Sequence, residues 1–225
     1  GVIHTANATS VTASYDTDAD YVLTGPQGTR TISAVDDQSA KDLAALFNAE
    51  TASTGVSATA VTIAEISGLQ FGTAASSTIS FELNDQAISA ANVSAADYRT
   101  IVDAVNAKSA STGVTASLKV GVNNIMFLTD ADGDDIKFEN FVTSDTHNNT
   151  QFNLRTVKSD LTTTSKASVV INDAGAGDSG DFHSAVMSGS VTLTANSTFS
   201  LTGGSSVDAF VNPSIATNTL STVSV

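Results

Sequence analysis

The chain has 225 residues, 41% of them apolar, enough for a core in one large domain or two to three small ones. Its 9 Lys and Arg face 23 Asp and Glu, a formal net charge of −14 that argues against nucleic acid, because counterion release needs clustered cations. Cysteine is absent, which removes disulfides, thiol nucleophiles and thiolate metal sites, and no apolar run approaches the roughly 18 residues of a membrane span.

Along the chain, Tyr21–Thr24 and Arg30–Ser33 flank Gly25-Pro26-Gln27-Gly28, which predicts a hairpin. Ser39 with Asp42 three residues on is a carboxylate variant of the capping box. Leu43, Leu46 and Phe47 then follow at helical spacing, so a short amphipathic helix is expected. The next strand candidate is Ser77–Leu83, where Ile79, Phe81 and Leu83 alternate. It turns at Asn84-Asp85-Gln86 and returns through Ala87-Ile88-Ser89. Ser94 and Asp97 read as a second cap pair, ahead of an apolar stripe of Tyr98, Ile101, Val102 and Val105.

An internal repeat ties these pieces together. Asn48-Ala49-Glu50-Thr51-Ala52-Ser53-Thr54-Gly55-Val56-Ser57-Ala58 recurs 58 residues later as Asn106-Ala107-Lys108-Ser109-Ala110-Ser111-Thr112-Gly113-Val114-Thr115-Ala116. Only three positions differ: Glu50/Lys108, Thr51/Ser109 and Ser57/Thr115. Gly55 and Gly113 fall where a chain leaving a helix reverses into a strand, a place that favours positive φ. The two expected caps are closer together than the two tails, which predicts one extra turn in the second helix. Beyond it, Thr115–Val120 and Asn124–Thr129 read as strands, Asp130–Asp134 as a solvated hairpin turn, and Asp135–Glu139 as a half-exposed strand. In 146–225 only strands are expected, among them Ser168–Ile171, Gly189–Thr194 and Thr198–Thr202.

The resulting expectation is an α+β, modular fold of two strand-strand-helix-strand units plus a β-rich end. Residues 1–68 form the first repeat unit, packed with the return segment 146–225, and 69–145 form the second unit as a distal insertion.

These motifs resemble the repeat of bacterial flagellins and hook-associated proteins, the "IN"-type repeat. The matching residues are Asn48-Ala49 and Thr54-Gly55-Val56-Ser57-Ala58, Asn106-Ala107 and Thr112-Gly113-Val114-Thr115-Ala116, and Asp132-Gly133-Asp134-Asp135-Ile136. Ser190–Leu193 through Phe199–Thr202 is similar to the β segment closing a flagellin's outer region, and Leu220–Val225 to the approach to the filament-core helix. A flagellin also carries long, heptad-rich core helices at both ends, and this sequence has none. The resemblance therefore implies the central, surface-exposed region of a flagellin: a structural protein, not an enzyme, exported without a cleaved signal peptide to the bacterial flagellum. Its partners would be neighbouring subunits of the filament, with O-glycans on surface Ser and Thr, and the isolated fragment would be a monomer. The cap or hook-associated proteins, or an extracellular carbohydrate- or calcium-binding module, are the alternatives. Ala, Ser and Thr number 93 residues, a small, hydroxyl-rich surface that with like net charge opposes lateral clumping of a polymer.

Site-like strings read blandly, and no catalytic, cofactor or metal residue is assigned. Asp130-Ala131-Asp132-Gly133-Asp134-Asp135 places Gly at position 4 and Phe141 at position 12, against the Gly and Glu that an EF-hand needs. Gly177-Asp178-Ser179-Gly180 matches a serine-protease string, but His4, His147 and His183 lack the contexts of a triad base and read as surface residues. Asn7, Asn92, Asn148 and Asn196 begin N-glycosylation patterns that are cheap in so Ser/Thr-rich a chain.

Overall fold

The computed structural model describes residues 3–6, 19–145, 150–159, 161, 168–173 and 182–203. In chain order the elements are β1 (Ile3–Ala6), β2 (Ala19–Gly25), β3 (Gly28–Ala34), α1 (Ala40–Ala49), α2 (Thr51–Thr54), β4 (Val56–Gln70), β5 (Ser77–Leu83), β6 (Gln86–Val93), α3 (Arg99–Asn106), α4 (Ser109–Thr112), β7 (Val114–Leu118), β8 (Ile125–Asp130), β9 (Ile136–Thr143), β10 (Gln151–Thr156), β11 (Val169–Asn172), β12 (Ser184–Met187), β13 (Ser190–Ala195) and β14 (Ser200–Gly203). The expected α+β class is overturned. Antiparallel strands dominate the described residues, and the helices are short, the longest, α1, having ten residues. One reason is that Gly55 and Gly113 stop each helical stretch early. The other is β4, a strand of fifteen residues that runs far beyond the short stretch expected after Gly55.

The chain divides into two compact units. The larger comprises Gly1–Ala13, Thr62–Ala131 and Asp135–Ser188; the smaller comprises Ser14–Val61, Asp132–Asp134 and Gly189–Val225. Strands from the expected return segment 146–225 thus fall in both units, β10 to β12 in the larger and β13 and β14 in the smaller. β4 contributes Val56–Val61 to the smaller unit, paired with β13, and its remainder to the larger, paired with β8 and β10.

In the larger unit a five-stranded sheet runs β1-β12-β9-β5-β6, and the other sheet continues β11-β10-β4-β8-β7. Their inner faces share one core. β5 alternates as expected, burying Ile79, Phe81 and Leu83. In β9 the alternation breaks: Asn140 has φ 52° and the register against β5 shifts, so Phe138 and Phe141 both reach the core. Phe138 stacks on Phe81 at 4.5 Å, and Phe152 of β10 meets Phe138 and Phe141 edge-on at 5.3 and 4.9 Å. Such ring pairs add to the stabilisation from burial alone. The expected apolar stripe folds into this core: Tyr98, Ile101 and Val105 are buried and α3 packs on β6 and β7.

In the smaller unit β2 and β3 form the predicted hairpin, with β14 added alongside β2. The capping box of α1 forms in full: Asp42 N–H donates to Ser39 Oγ, and Ser39 N–H donates to Asp42 Oδ2. α1 buries Ala40, Leu43, Ala44 and Phe47, and Phe47 lies 5.8 Å from the Tyr21 ring.

The second helix departs from expectation. It is shorter than α1, not longer, because its N-cap is Tyr98; Ser94 instead forms a bridge with Asp97. The buried positions of the helices keep the repeat offset, Ala40, Leu43 and Phe47 matching Tyr98, Ile101 and Val105. A tyrosine therefore stands where the cap-spacing argument placed helix interior.

Candidate functional site

In the repeated tail, the Asn and Thr side chains shared by the two copies make matching hydrogen bonds. Thr54 Oγ1 donates to Glu50 O at 2.9 Å and Thr112 Oγ1 to Lys108 O at 3.2 Å, closing the short helices α2 and α4. Gly55 and Gly113 follow at φ 73° and 76°, the left-handed conformation that costs other residues ~1–2 kcal/mol. Val56 and Val114 are then fully buried. The three positions at which the copies differ are all outside the buried set.

Among the described residues, the strand after each glycine is bonded by another strand on one side only. In β7, Thr115 and Ser117 pair with Thr129 and Phe127 of β8, and β7 ends its sheet. Side chains meet outward backbone groups at two alternate residues, Val114 and Ala116. Asn106 Nδ2 donates to Ala116 O at 2.9 Å, and Ala116 N–H donates to Asn106 Oδ1 at 2.8 Å. Thr112 Oγ1 likewise accepts from Val114 N–H at 3.1 Å and lies 3.3 Å from Val114 O. β4 shows the same arrangement. Asn48 Nδ2 donates to Ala58 O at 2.9 Å, Ala58 N–H donates to Asn48 Oδ1 at 2.8 Å, and Val56 N–H donates to Thr54 Oγ1 at 3.2 Å. A carboxamide presents an N–H donor beside an acceptor oxygen, spaced like those of a peptide group, so Asn imitates one residue of a neighbouring strand.

Each hairpin docks on the same carbonyl of its own tail. Gln27 N–H donates to Thr54 O at 3.2 Å, and Asn84 Nδ2 donates to Thr112 O at 2.8 Å. The partner strands correspond too: Ala58 faces Leu193 and Ala116 faces Leu128.

The acidic loop is not the expected hairpin turn, since β8 and β9 belong to different sheets. Asp130 is buried at the end of β8, opposite Val114 and Thr62. Within the smaller unit Asp134 pairs with Lys41 Nζ at 2.6 Å and Asp132 lies 3.8 Å away, while Gly133 O accepts from Lys41 N–H at 3.1 Å. A Cβ on Gly133 would sit 2.4 Å from the Ala60 Cβ, so the position requires glycine. The loop's charge is thus directed at the first turn of α1. Among the described residues no cluster of three or more His, Asp or Glu is placed to hold a metal ion.

His183 is buried, not on the surface. Its N–H donates to Ala6 O and its Nδ1 lies 3.1 Å from Asn172 O. Gly177–Gly180, His147, Asn7 and Asn148 lie outside the described residues, and His4 is described only as part of β1. Asn92 has φ 54° and is exposed, as is Asn196 in the turn after β13.

Two buried ionic contacts escaped the sequence reading. Glu65, 2% exposed in its side chain, pairs with Arg155 Nη2 at 2.7 Å across β4 and β10. Glu139, 3% exposed, holds Lys137 Nζ at 3.0 Å, with Asp85 at 3.2 Å. The hydrogen bond to Glu139 raises the Lys137 pKa, burial opposing and Asp85 assisting. Tyr98 is also held in its neutral form: burial raises its pKa, partly offset by the hydrogen bond that Leu69 N–H donates to its hydroxyl at 2.8 Å. The core void bounded by Tyr98, Phe81, Phe138 and Phe152 is about 10 Å³ and wholly apolar, room for a water at most and without polar partners to hold one.

No protein-family model and no curated protein matches this chain.

Proposed function

We propose that the chain is the outer, surface-exposed region of a bacterial flagellin, a non-enzymatic part of the motility filament. The observation that supports this most is the doubled tail, whose likeness to the flagellin and hook-associated repeat rests on the residues that carry the hydrogen bonds: Asn48 and Asn106, Thr54 and Thr112, Gly55 and Gly113. A scaffold of this kind needs a firm fold and a bland exterior. The buried aromatic and aliphatic side chains supply the first, and the net charge of −14 with abundant Ser and Thr supplies the second.

In this reading the chain works at the cell exterior among neighbouring filament subunits, and as an isolated piece it is monomeric. Immunogold electron microscopy of native cells with antibody raised against the chain tests it. Label along the whole filament is the expected result. Label confined to the tip or the hook junction would reassign the chain to a cap or junction protein, and label on the cell body alone would defeat both.

A further inference from the structure

We propose that the Asn and Thr side chains of each tail are edge plugs, which keep the strand that follows from pairing with a second copy of this chain. The inference stands whether or not the chain belongs to a flagellin. A strand at the end of a sheet presents unpaired N–H and C=O groups that template association with another strand. The usual protections are charge, proline, a bulge or a covering element. β7 reads Val114-Thr115-Ala116-Ser117-Leu118, with neither charge nor proline.

In place of charge or proline, side chains engage outward backbone groups at two alternate residues of β7. The Val114 N–H is met by the Thr112 hydroxyl, and both the N–H and the C=O of Ala116 are met by the Asn106 carboxamide. The preceding helical turns place both side chains, because Asn106 ends α3 and Thr112 ends α4. The same pair, Asn48 and Thr54, stands against the open side of β4 in the smaller unit. Local stability alone would require only that these backbone groups find some partner, and water serves an exposed edge. Using both arms of a carboxamide on one residue, twice in one chain, leaves no template for an incoming strand at that residue.

The test uses the full chain and measures mass by light scattering across a concentration series. Thr112→Val keeps the β-branched shape and removes the hydroxyl, and Asn106→Ala removes the carboxamide. The double variant is expected to self-associate with rising concentration, above the 22.8 kDa of the monomer. Adding Ser117→Lys, an exposed position on the same strand, restores the monomer without restoring the lost melting temperature, since a lysine guards an edge by a different route. A double variant that melts earlier yet stays monomeric at every concentration would overturn the proposal and leave Asn106 and Thr112 as stability residues only. If the double variant does not fold, Thr112→Val alone carries the same two readings, and Asn48→Ala repeats them in the smaller unit.

Discussion

The two copies of the repeat differ most in where their closing strand comes from. In the larger unit β7 leads through the turn 119–124 straight into its partner β8. In the smaller unit the equivalent stretch of β4 pairs with β13, and 62–189 lies between the two in sequence. Yet the registers match residue for residue, Ala58 on Leu193 and Ala116 on Leu128, and the Asn, Thr and Gly contacts agree within a few tenths of an ångström. What the repeat specifies is therefore the tail and the strand edge that it closes. The partner on the other side can arrive from anywhere in the chain.

The largest expected effects separate the units by what each buries. Arg155→Ala strands the Glu65 carboxylate in the larger unit and should cost about 3–5 kcal/mol in chemical denaturation. Phe47→Ala should cost a similar amount, about 3–5 kcal/mol, in the smaller unit, where the ring is fully buried against Tyr21. Hydrogen exchange read unit by unit would show which amides lose protection in each variant.

Next in size are the matched glycines. Gly55→Ala and Gly113→Ala should each cost about 1–2 kcal/mol, because both sit at positive φ. Equal losses would support equivalence of the copies; a neutral Gly113→Ala beside a costly Gly55→Ala would break it. A smaller effect is expected at the turn 119–124. Since the smaller unit accommodates a long excursion at the corresponding point, about ten Gly/Ser residues inserted after Val120 should cost only about 1 kcal/mol. Val120 is 97% exposed and Gly121 has open space around it. A loss of several kcal/mol in the denaturation midpoint would show that the short turn is a requirement of the larger unit.

The smallest effect concerns alkali, and here the units should agree. Tyr21 in the smaller unit and Tyr98 in the larger both have pKa values raised by burial, and Lys137 is raised by its hydrogen bond to Glu139. A raised folded-state pKa contributes stability that is complete below the unfolded value and is lost as pH climbs through the folded one, so stability should decline above about pH 10. Tyr98→Phe should flatten that decline for the larger unit and Tyr21→Phe for the smaller, as read from melting temperature against pH.

Much of this comparison was legible in the chain. The offset of 58, the capping box at Ser39, the left-handed Gly55 and Gly113, and most strand positions follow from spacing and residue type. The class of fold did not, because short periodic stripes drew weight to the helices while β4 carries no strict alternation beyond Ala58. Its residues change partners along their length, so no single period marks them. Ser94 has a capping residue's chemistry, but Tyr98 begins the helix by lodging its ring in the core and its hydroxyl on Leu69. The placement of Asp130–Asp135 between two different sheets, the burial of His183 and the pairing of Glu65 with Arg155 depend on contacts between residues far apart in sequence. At the tails the repeat marked the right residues. Their task became visible only with the strand edge beside them.

The most direct test of that task is amide hydrogen exchange at Ala58 and Ala116, followed residue by residue by NMR in the unaltered chain. If the Asn carboxamides close these edges, both amides exchange as slowly as those of Thr115 and Ser117, which face β8. Exchange at the pace of an open, water-bonded edge at either alanine would contradict the account.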